Sequence, residues 1–161
     1  MIVIDTNVVS ELMRAAPSEA VLDWFGRHDA GDLHVSAVTE AELRRGVAIL
    51  PEGRRREALA DAVDATITED FAGRVLAFDG PAAVAFAAVF AERRAIGRPT
   101  DFPDCLIAAT ARTHGATVAT REVERFEGCA LREADTTRAR LLDVLIHEAL
   151  SPTALDAYET A

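Results

Sequence analysis

The chain has no lysine: all 17 of its basic residues are arginine, set against 27 Asp and Glu for a formal net charge of −10. That balance repels nucleic acid at long range, because affinity for phosphate backbones comes mainly from basic side chains. Arginines do cluster at 44–45, 54–56, 93–94 and 98, so local basic patches remain open, although an Ala- and Arg-rich, Lys-free composition also reflects a GC-rich genome. Two cysteines, Cys105 and Cys129, are too few for a disulfide framework and lack the C-x-x-C pairing of a thiolate zinc site, so both read as reduced and buried. His28, His34, His114 and His147 are scattered, with no H-E-x-x-H, which argues against a histidine metal centre. No window approaches the roughly 18 consecutive apolar residues of a membrane span, and Asp5 and Asn7 stand where a signal peptide needs basic then apolar residues. The expectation is a cytoplasmic protein with no membrane association. Neither G-x-G-x-x-G nor G-x-x-x-x-G-K occurs, which ranks nucleotide-binding enzymes low.

What is present is a core-forming pattern: 161 residues, half of them hydrophobic, enough for one domain. Ile2-Val3-Ile4 is an apolar run stopped by Asp5, as in a central strand of a parallel sheet. Helices are expected over 7–14 and 17–28, a strand over 33–36, and a helix from Thr39, where Thr39-Glu40-Ala41-Glu42 has the form of a capping box. A charge-rich helix follows from Pro51 toward Phe71, then a strand over 74–78, helices over 81–96 and 103–114, and a strand over 116–120. A last short strand fits 128–131 and an amphipathic helix 135–150, whose apolar stripe packs on the domain or on a partner. Strand and helix alternate, so the fold class is α/β with a parallel sheet and right-handed crossovers.

In such a sheet the C-terminal ends of strands and the N-terminal ends of helices share an edge, where ligands usually bind. Asp5, Glu42, Asp104, Glu122 and Glu124 all map there. Converging carboxylates raise one another's pKa unless a cation sits among them, and hard divalent ions prefer such oxygen ligands. An ion could lower the pKa of a bound water and neutralise charge on a phosphate, a chemistry that needs no Ser, Cys or His nucleophile. Each acid also has a plainer reading. Glu42 fits as the N3 member of its capping box, Asp104 as a helix-dipole partner, Asp5 as a helix cap, and Glu122 and Glu124 as solvated loop charges. Asp104, however, shares a face with Ile107, Ala108 and Ala111, where an unpaired carboxylate is costly.

The run Ile-Asp-Thr-Asn-Val-Val-Ser-Glu-Leu at 4–12 resembles the opening of PIN-domain ribonucleases, specifically VapC-type toxins of the FitB-like branch. Residues 36–46, 104–109, and 119–122 with 126–129 resemble that branch's second, third and fourth motifs, in order, over residues 1–132. The resemblance implies a three-layer PIN-like fold, a central mostly parallel sheet flanked by helices, over 1–132; relatives usually stop soon after that point, and 133–161 is expected from its apolar stripe as a helical extension packed on the same domain. It further implies a Mg²⁺- or Mn²⁺-dependent endoribonuclease, the toxin component of a type II toxin-antitoxin system. RNA would be its substrate and a VapB-type antitoxin its inhibitor. A homodimer is implied, and a heterotetramer or larger assembly with the antitoxin. The implied catalytic and metal-binding acids are Asp5, Glu42 and Asp104, with Thr6 and Thr120 orienting water or phosphate. Relatives commonly read T-R-N-x-x-D-F in the fourth motif, whereas this chain has Glu122 for the Asn and Arg125 for the Asp, leaving Glu122 or Glu124 as substitutes.

Two other classes compete. Asp5 after a strand suits an aspartyl-nucleophile phosphatase, although that chemistry wants a second Asp where Asn7 stands. A catalytically silent PIN-like binding module would account for the missing Asp at 125 and the acidic charge.

Overall fold

In the computed structural model, which describes residues 1–98 and 100–129, strand β1 (Ile2–Ile4) leads into helices α1 (Thr6–Leu12) and α2 (Glu19–Gly26). Then come β2 (Leu33–Ser36), α3 (Ala37–Ala48), α4 (Arg54–Ala65), β3 (Val75–Leu76), α5 (Gly80–Ala95), α6 (Phe102–Thr113) and β4 (Thr117–Ala119). The sheet has the order β3-β2-β1-β4 with every pairing parallel, Ile4 lying opposite both Val35 and Ala119. The expected α/β architecture is what forms.

Alternation along β1 builds the layers, since successive side chains of a strand face opposite ways. Ile4 points into a core with Val8, Val9, Trp24, Val35 and Leu43 from the α1–α4 side. Val3 points into a second core with Val89, Cys105, Ile107 and Ala108 from α5 and α6. A sheet buried on both faces explains why β1 reads as a continuous apolar run.

Three local expectations need correction. Helix α3 starts at Ala37, two residues before Thr39, because Ser36 at the strand end is the N-cap and its Oγ accepts from Thr39 N at 3.0 Å. Thr39 thus takes the third helical position and Glu42 lies in the second turn, so Glu42 is not a capping-box residue. The strand expected over 74–78 shrinks to Val75–Leu76, since Phe78 leaves the sheet to meet Phe86 edge-on at 6.4 Å. The helix toward Phe71 ends at Ala65 and continues as a π-helical turn, Thr66–Asp70.

Gly128 and Cys129 are turn and bend, and the rest of the expected strand over 128–131, the helix over 135–150 and the extension 133–161 lie outside the described residues. Among the described residues, no helix is long and apolar enough to cross a membrane. Both cysteines are free and buried, and burial raises both thiols, Cys129 to about 11, so neither supplies a thiolate at neutral pH.

An acidic cluster at the sheet edge

Asp5 follows β1 as the N-cap of α1, and both of its oxygens are engaged. Its Oδ1 accepts from Thr6 N at 2.7 Å, and its Oδ2 accepts from Thr120 Oγ1 at 2.7 Å across the neighbouring strand end. The side chain is 4% exposed. Burial is the main reason its pKa rises from 3.8 to about 6. The Thr120 and Thr6 hydrogen bonds oppose that rise, and the charges of Asp104 and Glu42 add to it.

Glu42 arrives from α3. Freed from capping, its Oε2 accepts the Thr6 hydroxyl at 2.6 Å. Thr6 therefore bridges two acids, giving its amide to Asp5 and its hydroxyl to Glu42.

Asp104 sits in the first turn of α6 and is 7% exposed. Burial raises its pKa, the Arg125 hydrogen bond and charge oppose this, and Asp101 and Glu42 push the same way as burial. The three acids from β1, α3 and α6 thus lie within one another's electrostatic reach. Among the described residues, however, no three His, Cys, Asp or Glu side chains are gathered closely enough to hold one ion as they stand.

Thr120 is the hub of the β4 end. Its Oγ1 donates to Asp5 and accepts from Asn7 Nδ2 at 3.3 Å and from Glu122 N at 3.0 Å. The carboxylate of Glu122 turns toward the guanidinium of Arg125. Glu124 instead lines a cavity of about 500 Å³ beyond Arg125, shared with Arg93, Arg98, Thr100 and Asp101. The structure thus brings together Asp5, Thr6, Glu42, Asp104 and Thr120, pairs Glu122 with Arg125, and sets Glu124 on the cavity that Arg125 also lines.

For two side chains at this edge, Arg125 and Glu11, nothing in the sequence pointed to their partners. Arg125 Nη1 donates to Asp104 Oδ2 and to Asp101 Oδ2, both at 3.1 Å, so a cation stands against the trio. Glu11, 3% exposed, accepts from Arg14 Nη1 at 3.1 Å, Arg121 Nη1 at 3.4 Å and Ser18 N at 3.1 Å. It ties the loop after β4 to α1. Its place in the resemblance motif at 4–12 was a signal, but its partners lie up to 110 positions away.

The donor set is chemically suited to a hard divalent cation: carboxylate oxygens, hydroxyls and no soft ligand.

The family model described as the PIN domain matches residues 2–127. The chain is 43% identical to the VapC ribonuclease Y4jK of Sinorhizobium fredii, over 81% of this chain and 94% of that protein. It is 41% identical to Toxin FitB of Neisseria gonorrhoeae, over 78% and 91%. The crystal structure of FitAcB from Neisseria gonorrhoeae superposes with a TM-score of 0.75 at 40% identity, covering 81% of this chain and 94% of that one.

Proposed function

The chain belongs to the PIN-domain family, in the branch that holds Toxin FitB and VapC ribonucleases, and from that premise we propose that it is a toxin acting as a metal-dependent endoribonuclease. Asp5, Glu42 and Asp104 would hold a Mg²⁺ or Mn²⁺ ion. The observation that carries this reading is the pairing of deep burial with mutual repulsion: Asp5 and Asp104 are both buried, both raised in pKa, and both destabilised by neighbouring acids. A fold keeps such a cluster at a cost unless a cation relieves it.

A bound divalent ion would supply a polarised water and neutralise charge developing on the phosphate oxygens. The chain's own groups do the rest. Thr6 N and Thr120 Oγ1 fix both Asp5 oxygens, so the carboxylate has one orientation. Thr6 Oγ1 occupies Glu42 Oε2, leaving Oε1 to accept the proton of the attacking water. The leaving 3′ or 5′ oxygen then takes its proton from solvent at this exposed edge.

The −10 charge disfavours RNA at long range, so binding depends on local arginines. The same acidic edge suits a basic segment of a VapB-type antitoxin, which would block the cluster by occupying it. Exposed Val84, Phe90 and Phe102 on α5 and α6 are apolar surface that a homodimer would cover. The site of action is the cytoplasm, where RNA and antitoxin are both met.

Purified protein incubated with RNA and Mg²⁺, Mn²⁺ or EDTA, beside Asp5→Asn, tests the reading. Cleavage should require the ion and vanish in the variant. Cleavage that persists in EDTA would sink metal dependence, and an intact substrate with both ions would favour a silent binding module.

A further inference from the structure

Arg125 closes a 3-10 turn, Val123–Arg125, that follows β4, and three acids hold its guanidinium. Nη1 reaches Asp104 Oδ2 and Asp101 Oδ2 at 3.1 Å each, while Nε faces Glu122. Asp101 is the N-cap residue of α6, yet its side chain makes no capping hydrogen bond. Its carboxylate serves Arg125 instead. The backbone is anchored separately, because Arg125 N donates to Glu122 O at 3.0 Å and Thr100 Oγ1 donates to Arg125 O at 2.9 Å. The side chain is 46% exposed and lines the cavity, so it can leave Asp104 for water without moving the turn.

These contacts put a unit positive charge beside the Asp104 carboxylate, which the proposed ion would also use. A guanidinium and a divalent cation on one oxygen repel each other, so each excludes the other. We infer that Arg125 is an internal counter-ion of the acidic cluster, competing with the divalent ion for Asp104 and thereby setting the ion affinity of the site. The inference rests on the reading of the cluster as a divalent-ion site. It accounts for two observations together: three acids lie within electrostatic reach, yet no three are gathered closely enough to close on one ion. Asp104 is the member that carries the guanidinium.

Calorimetric titration of Mn²⁺ into the full chain tests this for wild type, Arg125→Ala, Arg125→Gln, Arg125→Lys and Arg98→Ala. Arg125→Ala and Arg125→Gln should bind Mn²⁺ about tenfold more tightly than wild type, the scale expected for removing one charge beside a half-exposed divalent site. The Gln variant keeps most of the side-chain length, so a folding defect in the Ala variant leaves the test standing. Arg125→Lys should stay within about threefold of wild type, since it restores the charge without the forked geometry. Arg98→Ala removes a charge from the same cavity but from a residue paired with Glu127, and should leave the affinity unchanged. Equal, measurable affinities for wild type and Arg125→Ala would overturn the inference and leave the divalent-ion reading intact. So would an equal gain in Arg98→Ala, which would make the effect one of general charge. If neither wild type nor Arg125→Ala binds Mn²⁺, both the inference and the divalent-ion reading fall.

Discussion

Two carboxylates on α1 or at its start are buried almost equally, Asp5 at 4% and Glu11 at 3% exposure, and they live in opposite surroundings. Glu11 is met by two guanidinium groups and a backbone amide, so its charge is matched inside the fold. Asp5 is met by a hydroxyl and an amide, with two further acids in electrostatic range and, among the described residues, no arginine partner. Breaking a matched buried pair costs stability, whereas an unmatched buried charge is itself a standing cost. The pair separates an acid matched inside the fold from one that, in the proposed reading, would be matched by a divalent ion.

The largest expected effect is on chemistry. Asp5→Asn should lower metal-dependent RNA cleavage by about a thousandfold, on the order of 4 kcal/mol, because it removes an ion-binding charge while keeping the shape. Retained cleavage would erase the distinction drawn between the two acids. Glu11→Gln should act through the fold instead, costing about 3 kcal/mol by thermal or denaturant unfolding, since it leaves Arg14 and Arg121 without their shared carboxylate. Its residual folded protein should still cleave RNA.

Acidity sharpens the contrast. Folded Asp5 titrates near pH 6 against 3.8 for the free side chain, so between those values the folded protein holds a proton that the unfolded chain has released. This contribution to stability is fully present below about pH 4 and lost as pH rises through about 6. The metal-free protein should therefore lose about 2–3 kcal/mol between pH 4 and 7 from this group, and Asp5→Asn should lack that loss. Melting curves across pH for both proteins check it, and identical profiles would refute the assignment. The smallest effect is expected for Thr120→Val, about a tenfold drop in cleavage, because the carboxylate remains but one orienting hydrogen bond is gone. The Asp5 titration should also move upward, since that bond holds its pKa down.

Much of this was legible in the chain itself. The apolar run at 2–4 announced a doubly buried strand, and the edge rule for parallel sheets set Asp5, Glu42, Asp104, Glu122 and Glu124 along one edge. The start of α3 misread because Ser36 and Thr39 are both competent caps, and the choice between them depends on where β2 ends. That three-residue shift of the cap decided whether Glu42 spent its carboxylate on a backbone amide or kept it for the cluster. Phe78 was drawn into a strand by its type and out of one by Phe86.

Local patterning depends on near neighbours along the chain, so strand and helix order, the two-faced burial of β1 and the sheet edge each acid occupies were properties of the sequence by itself. Which charges meet was settled only by tertiary structure. Thr120 reaches Asp5 across 115 positions and Thr6 reaches Glu42 across 36, contacts that no local period encodes. Arg125 is the clearest case. In sequence it was an arginine where an acid was expected, and in space it is a cation set against Asp104, because Coulomb energy follows distance through the fold and not separation along the chain.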